Sequence, residues 1–270
     1  GESAKILNPQ EHLCLVSEKA KLLFSDTSHC AFLQSFPSIA NSGQTIALEY
    51  NTHIISSVTF TEEWYSSPFK AEGGWALEKR DTQNLSETRD NWGAAQNHLG
   101  GTPGYANSVA TTHPDTLQPH ITSLHITNDT SIVVSFSENI ASNEFTTPLN
   151  LSDDNQIYSI TELNNSLSHY VLFTSQPLQS NKTYTLTIPE TWSDIAGNSF
   201  AESSYTFAKT DSLLQRNAII FTEILFNPAV NEPDFIELYN NTNAYFDLSQ
   251  VYLSNNETFY AIADEFCLFS

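Results

Sequence analysis

The chain has 270 residues, with 31 Asp plus Glu against 10 Lys plus Arg, a net charge of −21. Duplex DNA, RNA and anionic membrane surfaces all repel such a chain, which excludes nucleic-acid partners. No apolar run approaches the ~18 residues of a membrane span, so membrane insertion within this chain is excluded too. The composition is rich in aromatics (17 Phe, 11 Tyr, 4 Trp) and in Thr, Ser and Asn, which favours strands and turns over helices. The opening "GESAK" has no Met and reads as a processed or trimmed end, so the lack of a leader is uninformative.

In chain order, "SEKAKLLFSD" (17–26) offers one turn of helix leading to a strand. After it the signal is alternation with period two. "QTIALEY" (44–50) and "HIISSVTF" (53–60) read as half-buried strands. Residues 109–120, "VATTHPDTLQPH", are rich in Thr and Pro with no strand pattern and read as a linker. In the centre, Ile132, Val134 and Phe136 share one face of a strand. "KTYTLTI" (182–188) sets Tyr184, Leu186 and Ile188 on one face and Thr on the other. Gly197 and Asn198 suit a tight turn. A second connector, "KTDSLLQRNA" (209–218), follows. The chain thus divides into 1–108, 119–209 and 217–270, and the central unit has about seven short strands, as in a Greek-key sandwich.

Three Cys (Cys14, Cys30 and Cys267) give no metal spacing and leave room for one disulfide. Eight His are scattered, and His29–Cys30 point to opposite faces of a strand. Nucleophile-elbow, phosphate-loop and zinc-protease motifs are missing, so no residue set is expected to be catalytic. Glu223, Asp234 and Glu237 around one hairpin, and Asp153 and Asp154 in "SDDN", are the candidate calcium ligands. Their structural alternatives are ion pairs to Lys79 or Arg80 and a solvated loop. Glu138 and Asp194 read as a strand-end carboxylate and a turn-stabilising Asx residue rather than as metal ligands. Trp64 and Tyr65, at a strand end or loop, are the candidates for stacking on a glycan. No other cofactor is expected.

Two sets of motifs carry resemblances. "ITSLHITNDTSIVVSFSENI" (121–140) and "YTLTIPETWSDIAGNSF" (184–200) resemble the bacterial immunoglobulin-like domains of surface-layer and other exported proteins. The outer segments resemble two parts of one lamin-tail domain. Its front is "IIFTEILFNP" with "DFIELYNNTNAYFDLSQVYL" (219–253), where Asn240 and Asp247 take turn positions. Its back is "ILNPQEHLCLVS", "SIANSGQTIALEY", "GGWALEKRD" and "NWGAAQNHLGGTPGYANS" within 1–108, with Gln10 in place of a turn glycine and the strand's Arg shifted to Arg80. This resemblance implies a core strand for Trp75. The set is complete but permuted, as in a repeat protein cut out of phase. The resemblances imply an all-β fold of two immunoglobulin-like β-sandwiches, one assembled from both chain ends. They imply a non-catalytic structural or adhesion module, extracellular or on a bacterial cell surface. The alternatives are a glycan- or protein-binding module and an accessory segment of an extracellular hydrolase. The implied partners are other copies or neighbouring repeats, by domain exchange, and a surface glycan or protein. Exchange is expected over closure within one chain.

Overall fold

In a computed structural model of the chain, residues 6–23, 26–141, 145, 149–210, 214–229, 233–246, 248, 251–255 and 258–262 are described. The alternating stretches become strands. In the first unit these are β1 (Cys14–Ser17), β2 (Cys30–Leu33), β3 (Gly43–Tyr50), β4 (His53–Thr61), β5 (Leu77–Lys79) and β6 (Trp92–Ala94). They form three two-stranded ribbons: β1 beside β2 in parallel, β3 against β4 and β5 against β6 antiparallel. The helical candidate is a 3-10 turn, Glu18–Leu23, with no buried residue. Its apolar positions Leu22 and Leu23 face solvent, so it lacks the packed stripe that stabilises an α-helix. One short α-helix, α1, spans Pro68–Ala71, with Pro68 at its first turn.

The central unit contains β7 (Ile121–Asn128), β8 (Ser131–Phe136), β9 (Asn150–Leu151), β10 (Ile157–Glu162), β11 (His169–Thr174), β12 (Lys182–Thr187) and β13 (Ser204–Lys209). They build a four-stranded sheet, β10-β11-β8-β7, and a three-stranded sheet, β13-β12-β9. The inward faces are the ones the alternation marks: Ile132, Val134 and Phe136 on β8, and Tyr184, Leu186 and Ile188 from β12 onward. Every residue of β8 is buried, because it lies between β7 and β11. Tyr170 on β11 packs edge-on against Phe145 at 4.8 Å, and Phe145 meets Trp192 at 5.0 Å. These aromatics fill the space between the sheets, as side chains of two inner faces do in a sandwich.

The last strands are β14 (Ile219–Leu225), β15 (Phe235–Asn240), β16 (Tyr252–Ser254) and β17 (Phe259–Ala261). β14 pairs with β15 and β16 with β17. Among the described residues neither ribbon hydrogen-bonds to β1–β6. Several of their apolar side chains face solvent, including Phe221, Ile224, Phe226, Phe235 and Phe259. Asp247 and Cys267 lie outside the described residues. Cys14 and Cys30 stand on directly paired positions of β1 and β2 and form no disulfide with each other.

Candidate functional site: a buried carboxylate cluster

The turn after β12 places Asp194. Gly197 has a φ of 95°, a conformation only glycine adopts without strain. Asn198 is not in that region, so of the two residues marked for the turn only Gly197 is left-handed. The reversal turns the peptide N–H groups of Ala196 and Asn198 onto Asp194 Oδ1, both at 2.8 Å. The Asn198 amide donates to Asp194 Oδ2 at 2.9 Å. As the sequence suggests, Asp194 is an Asx turn residue. It is also 1% exposed.

The chain leaving β8 runs alongside this turn. Ile140 is bridged to Asp194, and the Ala141 N–H donates to the Ser193 carbonyl at 3.3 Å. That pairing sets Glu138, 5% exposed, beside Asp194. The third carboxylate comes from the linker. The His113 N–H donates to Asp81 Oδ2 at 2.7 Å, the Thr111 N–H to the Arg80 carbonyl at 2.9 Å, and the Asn84 amide to the His113 carbonyl at 2.9 Å. Held there, the linker brings in Asp115, whose Oδ1 accepts the Leu117 N–H at 3.0 Å.

One oxygen from each of Asp115, Glu138 and Asp194 lies within 4.8 Å of the other two. Asp115 Oδ2 is shut off from solvent, and no N–H or hydroxyl group donates to it. Glu138 Oε2 accepts one bond, from the Ser86 hydroxyl at 3.3 Å. Burial, and then the charges of Asp115 and Asp194, push the Glu138 carboxyl up to about 8. Glu138 also lines a cleft of about 520 Å³, with Trp64, Glu87, Asp90, His120 and His169 among the other lining residues. The Asn139 amide crosses to the Ser57 carbonyl on β4 at 3.1 Å.

Sequence reasoning named Glu138 and Asp194 but read both as structural, and it missed Asp115. The one local signal was a carboxylate two residues past a strand apolar enough to be buried on both faces. The convergence itself is tertiary.

The other candidates are placed as follows. Glu223 and Glu237 are direct cross-strand partners on β14–β15 and are exposed, as is Asp234. The Thr222 hydroxyl donates to Glu237. Lys79 pairs with Glu87 at 2.7 Å rather than with any of these three. Asp153 pairs with Lys182 at 2.9 Å, and Asp153 and Asp154 both have positive φ in an exposed turn. Among the described residues, Asp115, Glu138 and Asp194 are the only three His, Cys, Asp or Glu side chains that come close enough together to share an ion. Trp64 and Tyr65 are half-buried in a 3-10 turn. Trp64 stacks obliquely on Trp92 at 6.2 Å, and the Tyr65 hydroxyl donates to the Trp75 carbonyl at 2.8 Å. Trp75 precedes β5 rather than lying in it and is half-buried, with Lys70 Nζ 4.4 Å from its ring centre.

Glu78 is a buried carboxylate that sequence reasoning assigned only to a strand. It accepts bonds from the Thr102 hydroxyl and from the N–H and hydroxyl of Ser108, at 2.6–2.7 Å. Burial works to raise its pKa, but those bonds outweigh it and the carboxyl is held below its ordinary value.

Comparison with known proteins supports the central resemblance. Residues 109–209 match the bacterial Ig-like domain family. No curated protein matches the chain. Among solved structures, the chain is similar to the N-terminal part of the bacterial S-layer protein SbsC. The identity is 20%, over 39% of this chain and 26% of that one, with a TM-score of 0.31. It is also similar to the S-layer protein rSbsC(31-844), at 21% identity over 40% of this chain and 15% of that one, again with a TM-score of 0.31. The chain therefore spans about a quarter or less of the length of these proteins. Among the described residues no helix is long and apolar enough to cross a membrane.

Proposed function

We propose that the chain is a non-catalytic structural module of a bacterial cell-surface protein, whose work is to hold neighbouring β-units at a fixed spacing. The carrying observation is the anchored linker. A Thr/Pro-rich segment that could swing freely is instead bonded to Arg80, Asp81 and Asn84 on one side. Asn139 and Glu138 on the other side reach Ser57 and Ser86. Bonds across a junction convert a tether into a strut, which suits spacing and display better than flexible capture. The bacterial Ig-like match of residues 109–209 supports the surface setting. Limited proteolysis tests the strut: the native chain should resist cleavage across 109–118, and rapid cutting there overturns the reading. Site-dependent hydrolysis of a nucleic acid, phosphoester or glycan by the purified chain would overturn its non-catalytic part.

A second reading concerns partners and rests on a separate observation. The ribbons β14–β15 and β16–β17 expose apolar side chains, and so does the first unit at Leu15, Leu48 and Ile55. Two-stranded ribbons are marginal alone and carry unpaired edges. Net charge opposes their meeting, since 217–270 holds no Lys or Arg and 1–108 holds 7 basic residues against 12 acidic ones, so the apolar faces have to drive it. We infer that 217–270 of one molecule completes 1–108 of another, by exchange with a second copy or with a neighbouring repeat. Light scattering on the full chain should show association that grows with concentration. A monomer at every concentration sinks the exchange and leaves the strut untouched.

A further inference from the structure

We propose that Asp115, Glu138 and Asp194 form a binding site for a hard divalent cation, calcium, which clamps the linker to the Ig-like unit. Calcium binds oxygen ligands at about 2.4 Å, so two oxygens on one ion are separated by at most about 4.8 Å. The three carboxylates meet that limit as they stand, with no ion present.

The second observation is independent of the clustering. Asp115 Oδ2 is fully buried, and no N–H or hydroxyl group donates to it. A buried acceptor without a donor is rare in native proteins, because nothing replaces the water it has lost. The groups facing this oxygen are themselves carboxylates, which hydrogen-bond to it only by holding a proton between them. A cation satisfies every open lone pair at once. No cationic side chain does so: the ion pairs among the described residues join His29 to Glu11, Lys79 to Glu87, Lys182 to Asp153 and Lys209 to Asp129.

Chemistry selects the ion. An all-oxygen, anionic donor set favours hard cations over zinc or copper. Magnesium needs near-octahedral ligands at about 2.0–2.1 Å, and so carboxylates free to shift into that stricter geometry. Asp194 cannot follow easily, since three donors already hold its carboxylate. Calcium accepts irregular geometry and leaves places for water from the cleft that Glu138 lines.

The assignment is tested on the full chain by calorimetric titration with CaCl₂ after treatment with a chelator, and by thermal melting in chelator, in millimolar calcium and in millimolar magnesium. Wild type should take up calcium and melt several degrees higher with it, and magnesium should do much less. Asp115→Asn should weaken calcium binding by at least about tenfold. In chelator it should melt no lower than wild type, because removing a charge from the crowded cluster relieves repulsion; a merely structural aspartate would lower it. Glu138→Gln provides a second variant with the same expectation. Wild type with no heat of binding and an unchanged melt overturns the site. Asp115→Asn and Glu138→Gln binding calcium as tightly as wild type place any ion elsewhere and overturn it equally.

Discussion

Gln10 shows how a single backbone angle is set by its neighbours. Asn8, Pro9, Gln10 and Glu11 form a turn closed by the Glu11 N–H on the Asn8 carbonyl at 3.1 Å, with Gln10 at a φ of 63°. Proline at the second position and a positive angle at the third are the demands of a type II turn, where glycine is favoured. Gln10→Gly should therefore stabilise the fold by roughly 0.5–1 kcal/mol, by relieving the left-handed strain of a side chain. Chemical denaturation checks it, and a loss of stability would mean that the Gln10 side chain holds the turn by other contacts. Glu138 carries the second residue-scale expectation. Its folded pKa of about 8 lies above the ordinary 4.5, so between those values the folded state holds a proton that the unfolded chain has released. Stability then falls as pH rises across that window, by at most about 1.4 kcal/mol per pH unit. His169, held below its ordinary value by burial, acts in the opposite sense up to about pH 6.5. The clean window is therefore pH 6.5 to 8, measured in chelator; Glu87, Asp90 and His120 also line the cleft. Denaturation midpoints should drop across it for wild type and stay level for Glu138→Gln.

At the scale of elements, strands that pack around a shared core differ from strands that only pair. β12 is held between β13 and β9, and its Leu186 is fully buried beneath both sheets. Leu186→Ala should cost about 2–4 kcal/mol, read as a lower denaturation midpoint at unchanged slope; a loss below about 1 kcal/mol would contradict a close-packed site. β14 and β15 have no such layer, and Glu223 sits directly opposite Glu237 on their shared face. Like charges opposite one another destabilise a ribbon by up to about 1 kcal/mol. Glu223→Lys should therefore slow amide hydrogen exchange in 219–225 and 235–240, and faster exchange would refute the pairing.

For the molecule as a whole, the net charge of −21 governs association. Two copies that approach bring their negative charges together, and salt screens that repulsion over a Debye length of about 10 Å at 0.1 M. If acidic 217–270 meets 1–108 of a second copy through apolar faces, association should strengthen with NaCl from low to moderate concentration, as followed by light scattering. Weakening with salt would indicate that charge pairs, rather than apolar faces, drive the contact.

The alternating pattern alone marked the all-β class, strands at 44–50, 53–60 and 182–188, which the structure forms within a residue at each end, and the inward faces of β8 and β12, because a period of two maps directly onto the two faces of a sheet. The Asp-x-Ala-Gly-Asn turn was equally legible, since glycine and Asx chemistry act over a few residues. The helical candidate at 17–26 was less so, because nothing local reports whether Leu22 and Leu23 find a partner. Only the tertiary structure decided that Asp115 joins Glu138 and Asp194. Three carboxylates far apart in the chain repel one another, and no short-range preference assembles them. They meet because the Arg80, Asp81 and Asn84 bonds steer the linker to a sandwich end whose position is set by the packing of its two sheets.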